Sequence, residues 1–362
     1  MVAAIGQFGP GLEPPSYHEL RGLFLNDEKG GIKEIRKKYE EYWKTYGCTI
    51  MCDGWTNENG RHLINFLVNC PHGTYFIGSI DASNHVQDAN MLFQLLDSKI
   101  EEIGADNVVQ IVTDNVANYV AAGKLLMKKR SRLYWTPCAA RCLDLMLEDI
   151  GNLEAYRAVI GKATRITSFI YMHTFLLEDI RIRTNGKDLV RTGVTRFTTS
   201  FLTLQSLLKH NGALMQLFVS DDWNNSKLSK TEAGKKVEEI VLARTFWDDV
   251  RDCLRASHPI LVVFRLIVAD KKPAMPEIYM AMEVAKKRIK QNFVNRERSW
   301  KEVITILDRR WECQMEQSLH AAAFYLNAGK YFEYIADETV SCDEVCKINN
   351  AFVEVITRLV PD

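Results

Sequence analysis

The sequence lacks the features that mark several common protein classes. Its 362 residues contain no run of 18 or more apolar residues, so no membrane-spanning helix is predicted. Residues 1–12 are Gly-rich and do not combine a basic region with an apolar stretch, so they do not predict a secretory signal. There is no P-loop, G-x-S-x-G or H-E-x-x-H motif. Nucleotide hydrolysis, esterase and zincin chemistry therefore have no support.

Cysteines do not form the patterns of a disulfide scaffold or a zinc finger. There are nine of them, an odd number scattered over a long chain, which favours a reducing compartment such as the cytosol or nucleus. No C-x-x-C pair occurs, so zinc-ribbon and zinc-finger spacings are missing. Cys138 with Cys142, and Cys342 with Cys346, are spaced four residues apart, and we predict that they are small buried residues.

A net charge of either sign is also missing, because Lys+Arg and Asp+Glu both number 46. A free-standing DNA-binding module is usually basic, so this balance argues against strong, non-specific DNA binding by the whole chain. Two local basic clusters remain, at residues 125–133, with Lys128, Lys129 and Arg130, and at residues 181–196. Either cluster can contact phosphates, and the alternative is a solvated helix end and loop.

Between residues 47 and 150 the chain has the pattern of a mixed α/β sheet. Three strand candidates separated by close turns predict an antiparallel meander, at residues 48–53, 62–69 and 74–81. Helix and strand candidates then alternate, with strands at residues 108–113 and 133–136 and helices at residues 88–103, after 114 and 138–150. This order predicts an RNase H-like core with a mixed sheet.

The rest of the chain predicts different structure on either side of that core. Residues 1–46 predict a helical segment of mixed charge. Residues 151–362 contain long stretches with helical periodicity and little strand-like alternation, so they predict a large all-helical insertion domain. The predicted organisation is therefore an N-terminal helical segment (1–46), an incomplete RNase H-like core (47–150) and a helical insertion (151–362).

Two aspartates follow predicted strands that lie side by side in such a sheet. Asp53 ends the first strand and Asp114 follows the strand after the first helix. Carboxylates from adjacent strands suit Mg²⁺ or Mn²⁺, and phosphodiester chemistry uses such ions. We therefore predict Asp53 and Asp114 as metal ligands and catalytic residues. The alternative is that each accepts backbone hydrogen bonds at a strand end or helix cap.

Several short sequence segments resemble a known protein family, and the resemblance spans nearly the whole chain. They are GCTIMCDGWT at residues 47–56, VTDNVANY at 112–119 and YWTPCAARCLDLMLEDI at 134–150. Together they resemble plant proteins derived from hAT-family transposases, in the segment of unknown function before their C-terminal dimerisation region. The resemblance implies an RNase H-like core interrupted by a helical insertion, acting on DNA in the nucleus.

The resemblance also implies roles for individual residues. It maps the first two metal-binding acids to Asp53, with Trp55 beside it, and to Asp114. It maps an Arg-aromatic pair of the insertion, whose aromatic ring can stack on an extruded base, to Arg196 and Phe197. Core packing is the alternative for Phe197.

Two departures from the family pattern limit the expected activity. Position 141 is Arg where the family has His, and arginine cannot replace imidazole as a metal ligand, although Arg141 can contact a phosphate. The third acid of the family is not found in this chain. Glu148 is a weak surrogate, and helix carboxylates are usually solvated or paired. The upstream zinc finger and the hydrophobic dimerisation region are absent too.

Three functions follow as hypotheses. The first is a truncated or domesticated transposase-derived protein that binds DNA, is inactive in transposition and has other hAT-derived proteins among its candidate partners. The second is an active metal-dependent nuclease or strand transferase that uses Asp53, Asp114 and a surrogate acid. The third is a non-catalytic interaction or regulatory module.

Overall fold

The chain forms two compact units in a computed structural model that describes residue 7 and residues 15–193, 197–269, 273–294, 296–338 and 340–360. The first unit spans Met1–Thr136 and the second spans Pro137–Asp362. We call them the sheet unit and the helical unit. The division falls immediately before the helix at residues 139–151, which the sequence analysis grouped with the core.

A long helical segment begins the described part of the sheet unit. It consists of α1 (Tyr17–Glu19), a π-helical turn (Leu20–Phe24) and α2 (Leu25–Tyr46). Ser16 caps α1 through a capping box with Glu19, in which the side chain of each residue accepts a hydrogen bond from the backbone N–H of the other. Gly47, with φ of 72°, ends α2 at a conformation that disfavours other residues.

Five strands form the mixed sheet, in the order β3-β2-β1-β4-β5. They are β1 (Cys48–Thr56), β2 (His62–Cys70), β3 (Gly73–Asp81), β4 (Val108–Thr113) and β5 (Tyr134–Pro137). β1 pairs antiparallel with β2 and parallel with β4, and β2 pairs antiparallel with β3. A parallel pair requires a crossover, and the chain supplies one between β3 and β4 through a helix.

Two helices and a short 3₁₀ turn connect the later strands. They are α3 (Ala89–Ile103), the turn Ala105–Asn107 and α4 (Ala117–Lys129). α3 buries Leu92, Leu96 and Ile100, spaced four residues apart, in the same cluster as Ile64 and Phe66 of β2. The core of the sheet unit thus lies between one face of the sheet and these helices.

This architecture confirms the predicted fold class. A three-strand meander is followed by alternating helices and strands in one mixed sheet, and a large helical region follows. The strand order and the parallel pairing of β1 with β4 are those of an RNase H-like core.

The helical unit contains the remaining helices of the described chain. They are α5 (Ala139–Gly151), α6 (Glu154–Met172), α7 (Thr174–Arg183), α8 (Thr198–Lys209), α9 (Asn211–Phe218), α10 (Asp221–Asn225), α11 (Glu232–Leu242), α12 (Arg244–Ile267), α13 (Met275–Asn292), α14 (Glu297–Arg310), α15 (Ser318–Leu326), α16 (Ala328–Ile335) and α17 (Cys342–Leu359). A 3₁₀ turn at Leu228–Lys230 and a π-helical turn at Trp311–Met315 complete the set. Within the described residues, no helix is both long and apolar enough to cross a membrane.

Helix α12 continues through a proline that would ordinarily break it. Pro259 has no N–H group, so the carbonyl oxygen of Arg255 loses its helical partner. The side-chain amide of Asn292, at the end of α13, donates a hydrogen bond to that oxygen at 2.9 Å. A tertiary contact therefore satisfies the backbone group that the proline leaves open.

One expectation about cysteines is wrong. Cys142 is buried as predicted, but Cys342 and Cys346 are exposed. The reason is that α17 buries a different face, which carries Ile348 and Val355. Spacing alone places two residues on the same face of a helix but does not say which face packs.

Candidate functional site

The candidate site lies where β1 and β4 run parallel at the centre of the sheet. Their register pairs Ile50 with Ile111 and Met51 with Val112. Continued by two residues, this register sets Asp53 beside Asp114. The backbones of neighbouring strands are about 4.8 Å apart, so this continued register puts the Cα atoms of the two aspartates side by side.

Asp53 does not end its strand, contrary to the sequence analysis. β1 continues to Thr56 because its hairpin with β2 stays paired through Thr56 and His62. Asp53 pairs with Asn65 of β2, and its side chain is exposed. The side chains of successive strand residues point to alternate faces of the sheet, so Asp53 and the buried Cys52 lie on opposite faces of β1.

Asp114 immediately follows β4, as predicted. The N-cap of α4 is Val116, two residues further on, so Asp114 does not occupy the cap position. Asp114 is partly buried, and its own carbonyl oxygen accepts a hydrogen bond from Thr113 Oγ1 at 2.9 Å.

The side chains of Cys52 and Tyr119 are buried, and the charges of both aspartates raise their pKa values. The thiol of Cys52 donates to the hydroxyl of Tyr119, with Sγ and Oη 3.8 Å apart. Burial raises the pKa of Cys52 to about 12; the hydrogen bond with Tyr119 opposes this rise, and the negative charges of Asp53 and Asp114 add to it. Burial also raises the pKa of Tyr119, and both aspartates act in the same direction. Cys52 therefore stays a protonated thiol at neutral pH and is a poor metal ligand.

Gly54 lies on the same face of β1 as Cys52, opposite to Asp53. A Cβ atom at this position would lie 3.1 Å from His62 Nε2 and 3.2 Å from Tyr119 Oη. The ring of His62 is held by a hydrogen bond between Nδ1 and Thr56 Oγ1 at 3.1 Å. His62 and Tyr119 therefore lie on the face of β1 opposite to Asp53, and the charges of both aspartates reach Tyr119. The sequence analysis missed both, although His62 is the first residue of the strand that pairs with β1.

Trp55 and the first basic cluster also belong to the sheet unit. Trp55 is 47% exposed, and it follows Asp53 by two residues on the same strand. Lys129 and Arg130 both bind Asp97, at 2.7 Å, and Arg130 also binds Glu101 at 2.6 Å. These ion pairs cancel much of the cluster's positive charge, and Lys128 remains as an exposed lysine.

The other predicted residues belong to the helical unit. Arg141 donates to the buried Asp144 at 3.0 Å. Glu148 is partly buried on α5, where its charge acts on Arg310. Phe197 packs on the core of its unit, 5.9 Å from the ring of Phe201 and tightly against Gly151. Arg196 lies outside the described residues. The roles predicted for these four residues stay predictions.

The two aspartates can provide hard oxygen ligands but not a larger donor set. Among the described residues, no group of three or more His, Cys, Asp or Glu side chains is arranged to hold a metal ion. Mg²⁺ keeps several water ligands and is often bound through one or two carboxylates, so a pair of aspartates fits it chemically.

Comparison with known proteins gives one family match. A family described as "Domain of unknown function (DUF659)" matches residues 15–166, which is less than half of the chain. This family is found in hAT-like and plant transposase-derived proteins. No curated protein matches the chain. The resemblance seen in the sequence is thus supported at the level of this family over the sheet unit and α5.

Proposed function

We propose that this protein is a transposase-derived, RNase H-like protein that binds DNA and holds a divalent ion between Asp53 and Asp114. The observation that carries the proposal is the parallel register of β1 and β4, which is observed as far as Met51 and Val112 and, continued by two residues, would bring the two aspartates to one level. The family match over residues 15–166 supports a transposase-related origin, and the hAT ancestry is part of the proposal.

Mg²⁺ or Mn²⁺ is the proposed ion, because the donors at this edge are carboxylate oxygens and the nearby thiol of Cys52 is protonated. A bound ion would neutralise charge on a phosphate group of DNA. Asp53 and Asp114 would hold the ion. The exposed ring of Trp55 offers a stacking surface for a base close by.

We propose further that this chain does not cleave DNA by itself. Nuclease and strand-transfer chemistry in such folds relies on more carboxylates than the pair that this sheet edge carries within the described residues. Glu148, the surrogate suggested by the sequence, is partly buried on α5, where its charge acts on Arg310. The protein would therefore recognise DNA without processing it.

Metal binding is tested with Mn²⁺ alone, by electron paramagnetic resonance of the free ion. We expect Asp53→Asn and Asp114→Asn each to weaken Mn²⁺ binding at least about tenfold, because each removes one of two charged ligands. Asp106→Asn is the matched control, since it removes an exposed aspartate of the same unit outside the site. Equal Mn²⁺ affinity in wild type and both site variants would disprove the metal site.

The same variants separate the alternative functions. A supercoiled plasmid and a short labelled duplex are incubated with Mg²⁺ or Mn²⁺ and the purified full chain. Metal-dependent nicking that disappears in Asp53→Asn and Asp114→Asn would support the active nuclease instead. If the chain shows neither nicking nor DNA binding, the non-catalytic interaction module is the better account.

A nuclear location follows from the proposed action on DNA, and other hAT-derived proteins are the proposed protein partners. A fluorescent fusion that stays out of the nucleus would count against the first. Mixing with a full-length hAT-derived protein in size-exclusion chromatography tests the second.

A further inference from the structure

The helical unit contains two adjoining clefts with an excess of cationic side chains. The larger cleft, of about 800 Å³, lies between the C-terminal end of α8, the last turn of α12 and the segment after α7. Its cations are Lys187, Lys209 and Arg265, and His210 lies beside them. The smaller cleft, of about 390 Å³, shares Gln205 and Leu208 with it as walls. We call the two together the cationic groove.

The positive charge of the larger cleft is not cancelled locally. Asp188 is the acidic residue in its lining, and both of its carboxylate oxygens accept hydrogen bonds from Arg181, at 2.6 and 3.2 Å. Lys187, Lys209 and Arg265 form no ion pair with an acid of the described chain. The net charge of the whole protein is zero, so three uncompensated cations in one cleft are a local concentration of charge.

The side chains of the cleft are held by local contacts. Arg265 donates to Gln205 Oε1 at 3.0 Å, which fixes its guanidinium across the cleft from α12 to α8. Lys187 follows a tight turn in which Asn185 and Gly186 have positive φ and Gly186 N donates to Arg181 O at 2.8 Å. The hydroxyl of Thr184 donates to the carbonyl oxygen of Lys187 at 2.6 Å. Hydrogen bonds therefore hold the guanidinium of Arg265 and the backbone at Lys187 in place.

The positive potential inside the cleft acts on the pKa of His210. Its pKa is lowered first by burial and then by the charges of Lys209 and Lys187. The smaller cleft is lined by Arg251 and Arg255, each of which is ion-paired with an aspartate, so they add guanidinium donors but little net charge. Their acidic partners, Asp248 and Asp252, are not among the residues that line it.

We propose that the cationic groove binds the phosphate groups of a nucleic-acid strand. Cations spread over two adjoining clefts suit a chain of phosphates better than a single small anion, because each phosphate contact releases condensed counterions. This inference rests on the proposed DNA-binding function and gives it a second surface, which is independent of the aspartates. The basic cluster predicted at residues 181–196 contributes Lys187 to this groove, whereas Lys209 and Arg265 were not among the residues suggested by the sequence. Phe197 precedes α8 at its opposite end.

The test is metal-free binding of a fluorescein-labelled duplex and a single strand to the full chain, in EDTA and from 50 to 300 mM salt. The variant combines Lys187→Gln, Lys209→Gln and Arg265→Gln. We expect its affinity to fall at least about tenfold and its salt dependence to become shallower by about three in log–log slope, one per cation. The matched control combines Lys227→Gln, Lys230→Gln and Lys235→Gln, which removes the same charge from exposed positions of the same unit outside the groove.

Several outcomes decide the proposal. It is overturned if the groove variant binds as wild type does, if the control variant weakens binding equally, or if millimolar inorganic phosphate abolishes binding at constant ionic strength. Thermal melts by circular dichroism check that the triple variant folds, and the single change Lys209→Glu replaces it if it does not. A rise in the pKa of His210 on DNA binding, followed by NMR, would support direct contact.

Failure here is distinguishable from failure of the proposed function. Mn²⁺ binding by Asp53→Asn and Asp114→Asn decides the metal site, and DNA binding in EDTA by the groove variant decides the groove. If the groove variant keeps its DNA affinity while Asp53→Asn loses Mn²⁺, the groove proposal falls and the metal site stands.

Discussion

Aspartates of the sheet unit and of the helical unit have opposite surroundings. Asp53 lies exposed on β1, and Asp114 follows the end of the neighbouring strand β4. Asp144 of α5 is 3% exposed, and its Oδ1 accepts hydrogen bonds from the backbone N and Oγ1 of Thr198, at 2.7 and 2.5 Å. Asp53 is exposed to solvent, whereas Asp144 is used to hold the start of α8.

Asp149, five residues after Asp144, is used in the same way. It accepts hydrogen bonds from Arg309 at 2.8 Å and from Arg310 at 2.8 and 2.9 Å. These bonds join the C-terminal end of α5 to that of α14. A carboxylate on a packed helix is therefore a weak candidate for a missing metal ligand, because the neighbouring helices supply it with hydrogen-bond donors. The predictions below test that division.

The largest expected effect is that of Asp144→Ala. It removes the acceptor for Thr198 N–H and leaves Arg141 without its partner, so we expect a loss of about 3 kcal/mol in the free energy of unfolding. Urea unfolding gives the total, and hydrogen exchange localises it to residues 198–209. Asp248→Ala, which breaks exposed ion pairs of α12, is the control, with less than about 1 kcal/mol expected. Equal losses in the two variants would contradict the structural role of Asp144.

A smaller loss is expected for Asp149→Asn. The change keeps the shape of the side chain but removes the charge that two arginines share, so we expect about 1 to 2 kcal/mol, measured by urea unfolding at pH 7. A loss as large as that of Asp144→Ala would show that the link between α5 and α14 matters more than burial indicates.

The same residue predicts a pH dependence of stability. The hydrogen bond from Arg310 is the main cause that lowers the pKa of Asp149 below its ordinary value. Its contribution is therefore complete above the unfolded pKa of about 4 and is lost as the pH falls through the lower folded pKa. The difference in unfolding free energy between wild type and Asp149→Asn should stay constant from pH 7 to about 5 and shrink below that. A difference that grows towards low pH would refute this assignment.

The smallest effect is expected for Asp53→Asn in the absence of metal. Asp53 is exposed, so its replacement should change the free energy of unfolding by no more than about 0.5 kcal/mol. The measurement is urea unfolding in EDTA, repeated with Mn²⁺. Wild type should gain stability from the ion and the variant should not. A large loss in EDTA would place Asp53 among the structural aspartates and remove the contrast between the units.

Much of the sheet unit could be predicted because its signals are local. Apolar runs bounded by turns located all five strands, with boundaries within three residues, and the helical spacing of α3 located its buried face. The end of β1 was misplaced at Asp53, because whether a hairpin stays paired past a polar residue depends on the opposite strand. His62 and Tyr119 were missed because they approach Gly54 only after the strands pair and α4 packs.

In the helical unit, sequence patterns were less informative. Helical periodicity over residues 151–362 did not show that α11 and α12 are separate helices that meet at Ala243, or that α12 continues through Pro259 to Ile267. Periodicity shows that a segment is amphipathic, but not where it turns. The continuation through Pro259 depends on Asn292, a residue 33 positions later in the sequence.

By itself, the sequence determined the fold class and the place of Asp53 and Asp114 near the ends of two adjacent strands, because alternation and apolar runs depend on neighbouring residues. Only the tertiary structure decided how each charge is used. Asp144 and Asp149 are engaged by donors from distant helices, the basic cluster at Lys129 and Arg130 is neutralised by α3, and Lys187, Lys209 and Arg265 meet in one groove. Electrostatic pairing depends on distances in space, and the residues involved are far apart along the chain.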